Sequence, residues 1–202
     1  GHTGPVRFAA HARTLLWIDG AMARRIELAP GSCPPVASNF GFPMGRVPAE
    51  IAAGGEVLGP GSGARLRDAW RLGLAAEAVG CMEAALGQTV EYLKERRQFG
   101  RSIASFQAVQ HRLAECAIQV EASRWLTREA AYASGASEAI ATAAAFALDA
   151  AGHLFAETHQ LSGAIGFTRE HDLHATAQIP VHPIGTTGPD FLVSTICEVE
   201  YP

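Results

Sequence analysis

The sequence predicts an α+β protein that is mainly α, an antiparallel helical bundle preceded by a partial β-barrel or sandwich. Three observations carry this expectation. Apolar residues recur at three- and four-residue steps through most of 64–161. The breaks within that run are short, near 98–100 and Gly135, which implies antiparallel packing of successive helices. Residues 5–58 instead mix Pro, Gly and β-formers in short runs.

Val6–Phe8, Thr14–Ile18 and Ala23–Leu28 read as strands, separated by turn signals such as Asp19–Gly20 and Pro30–Gly31. Val47–Pro48 and Glu56–Leu58 add further extended chain. Gly59–Pro60–Gly61–Ser62–Gly63 reads as the hinge into the helical half, with Ser62 as N-cap. The first helix covers about 64–97, the second 104–134 and the third 136–161. The third is alanine and large apolars on several faces, so neighbours or another subunit must bury it. A short helical turn near 169–178 precedes Pro180, Pro183 and Pro189, which break the pattern. The domain reading is a partial β-domain at 1–60, a helical bundle at 61–180 and an irregular Pro-rich tail at 181–202. Within the tail, Phe191–Tyr201 alternates weakly, as strand or coil.

At 202 residues the chain can bury a sizeable core. A net charge of −4 gives no support to a nucleic-acid or anionic-membrane partner. Cys33, Cys81, Cys116 and Cys197 lack metal or disulfide spacing, and three of them sit in apolar or helical contexts, which suggests reduced thiols and a cytoplasmic setting. No run of 18 apolar residues occurs, and the start lacks a basic-then-apolar leader pattern.

The chemistry concentrates in 91–115, EYLKERRQFGRSIASFQAVQHRLAE. A charged helix end (Glu91, Lys94, Glu95, Arg96, Arg97) runs into a Gln98–Phe99–Gly100 break, and Gln107 and Gln110 open the next helix. Arginine offers phosphate a planar fork of donors, and helix N-termini attract phosphate. The set suits an anionic, partly aromatic ligand such as a nucleotide cofactor, while a solvated helical hairpin explains the same residues without a ligand.

The stretch resembles the C-terminal helical domain of acyl-CoA dehydrogenases. Arg96, Gln98, Phe99, Gly100, Ser102, Ile103, Phe106, Gln107, Gln110, Leu113 and Ala114 follow that family's R-x-Q-F-G…[PS]-I…F-Q-x-x-Q-x-x-L-A pattern. HQLSGAIGFTREHDLH at 159–174 resembles its Q-x-H-G-G-x-G-[FY]-T-x-E-H-D-L-H segment, two long helices downstream. The resemblance implies that the chain opens inside the family's middle β-domain. It also implies FAD as cofactor, bound across a subunit interface. Arg96 would pair with the pyrophosphate, Gln98 would add a hydrogen bond and Phe99 would pack near the flavin. Gln160 and Gly163 would approach the adenosine end. Ser162 stands where the family has His, and Ala164 where it has a second Gly.

The family reaction, α,β-desaturation of an acyl-CoA thioester, needs a carboxylate base. The resemblance implies two places for it. The first, ten residues before Gly80, is Trp70; the second falls near Thr187 in GTTG. Neither side chain serves as a carboxylate base. Asp68 and Glu77 are the nearest carboxylates on the first helix, and Asp68 lies about 200° around it from position 70. His171–Asp172–Leu173–His174 matches the family segment, so no metal is expected.

The resemblance therefore implies the non-catalytic subunit of a heteromeric acyl-CoA dehydrogenase. It would complete the FAD site of a larger catalytic subunit in trans, in an α2β2 assembly. The wording GFTREHDLH resembles actinobacterial enzymes of this type, which implies a bulky, steroid-derived acyl-CoA. Two alternatives stand beside it, a fragment of a homo-oligomeric dehydrogenase and a flavin-free assembly protein using the same bundle.

Overall fold

The structure is a computed structural model that describes residues 5–37, 43–133, 136–168, 173 and 193–196. In chain order the strands are β1 Pro5–Arg7, β2 Thr14–Asp19, β3 Met22–Glu27, β4 Pro35–Val36, β5 Met44–Arg46, β6 Glu56–Leu58, β7 Arg97–Gln98, β8 Arg101–Ser102 and β9 Val193–Ile196. The helices are α1 Ala49–Ala52, α2 Ser62–Glu95, α3 Gln107–Tyr132 and α4 Ser137–Ser162, with 3₁₀ turns at Ile103–Ser105 and Gly163–Phe167. The chain divides into two compact units, Gly1–Trp70 with Gly185–Pro202, and Arg71–Ile184.

The first unit holds two small antiparallel sheets, ordered β6-β3-β2-β9 and β1-β5-β4. They share one core. Leu15 and Trp17 of β2 and Ile26 of β3 pack with Ala9, Leu28, Cys33 and Val47, and Val6 of β1 lies against the cluster. The described strands form no closed barrel.

β5 ends at Arg46, and Pro48 is extended as expected (φ −60°, ψ 144°), directly before the short α1. Proline's fixed φ favours a helix start there. Ser62 does not cap its helix. Its hydroxyl accepts from the Ala23 amide (2.8 Å) and donates to the Leu58 carbonyl (2.7 Å), which ties the helix start to two strands. The tail is not wholly irregular either, because β9 pairs with β2 from Thr14↔Ile196 to Trp17↔Val193. The helical turn expected at 169–178 falls, apart from residue 173, outside the described residues.

The second unit is an antiparallel bundle. Ala75, Ala78, Val79, Met82 and Ala85 of α2 meet Cys116 and Val120 of α3 and the buried face of α4, which includes Ala144, Ala147, Leu148, Ala151 and Leu154. Alanine at these positions lets helix backbones approach closely. The buried hydroxyls of Thr89, Ser123, Thr127 and Thr158 donate to carbonyls three or four residues earlier in their own helices, so none is left unpaired in the core. Burial pushes the Cys116 thiol up to about 11, so it is an inert core thiol. The segment Ser137–Gly166 is long and apolar enough to cross a membrane by length and composition. Eleven buried residues on α4 and its place in the bundle core account for that composition.

Two ion pairs fix the register. Arg124 of α3 holds Glu83 of α2 through two nitrogens (2.8 and 2.5 Å), and Arg112 of α3 holds Glu157 of α4 (2.5 Å). The Arg112 guanidinium keeps the Glu157 carboxyl below its ordinary value of 4.5. A depressed carboxylate adds stability above its unfolded value and loses it as pH falls through the folded one. Glu157→Gln is therefore expected to cost about 0.5–1 kcal/mol at pH 7, a small figure because the pair is partly exposed. The difference from the wild type should shrink in thermal melts as the pH is taken progressively below 4.5. A variant that melts with the wild type at pH 7 would remove the pair from the bundle's energetics.

Candidate functional site

The expected site residues on the α2–α3 connection are held by a two-stranded hairpin. β7 pairs with β8 as Arg97↔Ser102 and Gln98↔Arg101, leaving Phe99 and Gly100 as the two-residue loop. Their φ angles are 54° and 79°, the left-handed pair of a type I′ turn. Glycine takes this freely, but phenylalanine pays for it, by about 1 kcal/mol. The helix was expected to run to 97; it stops at Glu95 because Arg97 leaves it for the ladder.

The hairpin is pinned to the helix end. The Ile103 amide donates to the Arg96 carbonyl (2.9 Å), and Ser102 Oγ donates to the Leu93 carbonyl (2.9 Å). Gln110 Nε2 donates to the Ala104 carbonyl (3.0 Å), so this glutamine braces the turn. Phe99 is 86% exposed, and its ring meets Phe106 edge-on at 6.2 Å. Arg101 lies over the face of Phe106 at 3.8 Å. Arg101 was not singled out from the sequence, although the arginine directly after Q-F-G was a visible signal. Arg96 and Gln98 are exposed, and among the described residues neither Arg96, Arg97 nor Arg101 has a carboxylate partner.

The second block ends α4. The Arg112–Glu157 pair sets the C-terminal end of α4 beside the N-terminal end of α3, so Gln160 and Gly163 share an end of the bundle with the hairpin. Gln160 is exposed. Gly163 adopts φ 64°, ψ −148°, a conformation open to glycine alone, and among the described residues no atom beyond its local backbone and chain neighbours lies within 4 Å of where a Cβ would stand. Ser162 is 3% exposed, and its hydroxyl has no partner among the described residues. The position that carries His in the family pattern thus points inward here. Ala164 is exposed.

Trp70 is half-buried on α2; Thr187 and the histidines at 171 and 174 lie outside the described residues. Asp68 and Glu77 each interact within the chain. The described residues contain no cluster of three or more His, Cys, Asp or Glu able to hold a metal. Trp125 is 63% exposed and not in the core.

Comparison with known proteins matches this architecture. The family model described as acyl-CoA dehydrogenase, C-terminal domain, covers residues 68–190. Acyl-CoA dehydrogenase IpdE2 of Mycobacterium tuberculosis is 46% identical over 101 residues, half of this chain and 31% of the relative. The solved Tcur3481-Tcur3483 steroid ACAD, G363A variant, superposes with a TM-score of 0.77 at 29% identity, over 88% of this chain and 52% of that one. The ChsE4-ChsE5 complex from Mycobacterium tuberculosis superposes at 0.69 with 25% identity, over 88% and 52%. The chain spans about a third of the length of curated relatives it matches. With the helical bundle, both sequence blocks and the family match over residues 68–190, this chain belongs to the acyl-CoA dehydrogenase family and carries its C-terminal domain.

Proposed function

We propose that this chain is the non-catalytic subunit of a flavin-dependent acyl-CoA dehydrogenase and completes the FAD site of a larger catalytic subunit in trans. One observation carries the reading. The hairpin presents an exposed aromatic ring on a strained backbone, beside arginines that have no carboxylate partner among the described residues. Strain and exposed apolar surface persist where a ligand or partner makes use of them. This donor set fits a dinucleotide. Arg96 holds pyrophosphate oxygens, Gln98 and Gln160 donate or accept at its flanks, and Phe99 covers an aromatic face. Gly163 leaves room for backbone contact at the adenosine end. When bound, FAD supplies the acceptor for the hydride removed from the acyl β-carbon.

The base belongs to the partner in this reading, since Trp70 and Thr187 stand at the two positions implied for it. The partner also supplies most of the acyl pocket. The named steroid enzyme among the similar structures supports a bulky, steroid-derived acyl-CoA as the substrate class. The similarity to a two-component complex supports a heteromeric, α2β2 assembly. A second reading, a segment of a longer homo-oligomeric dehydrogenase, is favoured by the fraction of its relatives that the chain spans.

Co-purification with the products of neighbouring genes tests the proposal, by visible spectrum and subunit masses. A flavin spectrum only alongside a larger dehydrogenase-like chain supports trans completion. A colourless homo-oligomer overturns it and leaves the bundle an assembly role.

Phe99→Gly separates the two costs at the turn. The variant is expected to be more stable by about 1 kcal/mol, because glycine relieves the left-handed backbone. It is also expected to hold flavin less tightly, because the ring is gone. Urea midpoints and absorbance near 450 nm check the opposed signs; a loss of both stability and flavin would contradict the strain argument.

A further inference from the structure

We propose, resting on the flavin reading above, that Arg101 is a second phosphate-binding residue of that site and that the ring of Phe106 positions it. Arginines stand at 96, 97 and 101, and the register of the hairpin separates them. Gln98 pairs with Arg101, and Arg97 with Ser102. Side chains alternate between the two faces of a strand, and directly paired residues share a face. Gln98 and Arg101 therefore stand side by side on one face, while Arg97 and Ser102 stand on the other. The Ile103 amide donates to the Arg96 carbonyl (2.9 Å), which carries the ladder one step further. The alternation then returns Arg96 to the face of Gln98 and Arg101. The opposite face turns back on the helix, since Ser102 Oγ donates to the Leu93 carbonyl of α2 (2.9 Å).

A pyrophosphate carries negative charge on both phosphates, and Arg96 alone answers one of them. Arg101 answers the other from the same face. It is exposed and has no carboxylate partner among the described residues, so none of these competes for its donors. Its guanidinium rests 3.8 Å over the centre of the Phe106 ring. A guanidinium stacked on an aromatic face keeps its N–H donors in its own plane, pointing outward. The fork is thus oriented before an oxyanion arrives, and less side-chain freedom is lost on binding. Phe106 is half-buried and also meets Phe99 edge-on at 6.2 Å. One ring therefore sets both the arginine and the exposed aromatic of the hairpin. Arg97 carries the same charge on the wrong face.

The test is titration of FAD into the flavin-free assembly of this chain with its catalytic partner, read by flavin fluorescence. Arg101→Gln should weaken FAD binding about tenfold, the size of one charge-assisted hydrogen bond. Arg97→Gln removes the same charge from the other face and should stay within about twofold. ADP presents two phosphates without the flavin, and Arg101→Gln should weaken its competition by a similar factor. Arg101→Lys keeps the charge without the fork and should fall between the two. Phe106→Leu should weaken ADP as well, yet add nothing to that loss in the Arg101→Gln background, because the ring acts through the arginine. Equal losses from Arg97→Gln and Arg101→Gln would reduce the effect to bulk charge and overturn the assignment. An ADP affinity that Arg101→Gln leaves unchanged would overturn it too. Where Arg96→Ala loses FAD and Arg101→Gln does not, the assignment falls alone. Where neither variant changes FAD binding, or the assembly takes up no FAD, it falls together with the flavin reading.

Discussion

Arg96→Ala is expected to lower flavin affinity of the purified complex about tenfold to a hundredfold. A hydrogen bond to a charged group is worth about 1.5–3 kcal/mol, and each 1.4 kcal/mol is a tenfold change in affinity. Arg96 is exposed at the helix end and has no carboxylate partner among the described residues, so its removal leaves no buried charge behind. Its backbone carbonyl, not its side chain, pins the hairpin, through the Ile103 amide. Stability should therefore change little, and the loss should show in the ratio of flavin to protein absorbance after gel filtration. Arg96→Lys keeps the charge without the fork and should fall between the two. Trp70→Ala should not abolish turnover, since the base is supplied by the partner in this reading. Full flavin retention by Arg96→Ala would sink the role given to this arginine, whatever the fate of the wider assembly.

The bundle was legible in the sequence because its helices are long and their apolar residues keep a helical step. The short elements were not. β4 has two residues and α1 four, too few for any period to show. Ser62 carried the chemistry of a cap, yet its hydroxyl bonds strands brought near by tertiary structure, at sequence separations of 4 and 39. The site was legible as residue types but not as geometry. Q-F-G gave the break, and only the structure puts Phe99 in a left-handed conformation with its ring in the open. Ser162 was legible as a departure from the family wording; that its hydroxyl is buried and unpartnered was not.

Leu154→Ala is expected to cost about 3–5 kcal/mol of bundle stability, the largest effect of any substitution considered. Leu154 is 0% exposed and belongs to a cluster in which α4 contributes Ala144, Ala147, Ala150 and Ala151. The cost of a large-to-small change is the lost transfer energy plus a cavity term, and the cavity term depends on whether neighbours move in. Alanine has no side-chain torsion with which to fill a void, so relaxation must come from helix shifts. Arg112–Glu157, one turn from Leu154, and Arg124–Glu83 oppose such shifts. The site thus collapses poorly, and the cost falls toward the upper end of the usual range. Against a total stability of about 5–15 kcal/mol, such a loss should move the urea midpoint strongly at fixed protein concentration. Leu154→Met keeps the volume and should recover most of it. Ile118→Ala removes a comparable side chain that is 68% exposed on α3 and should leave stability nearly unchanged. Equal destabilisation by the two substitutions would mean that Ile118 is core, and a Leu154→Ala cost under about 1 kcal/mol would mean that the alanine-lined packing closes around the void.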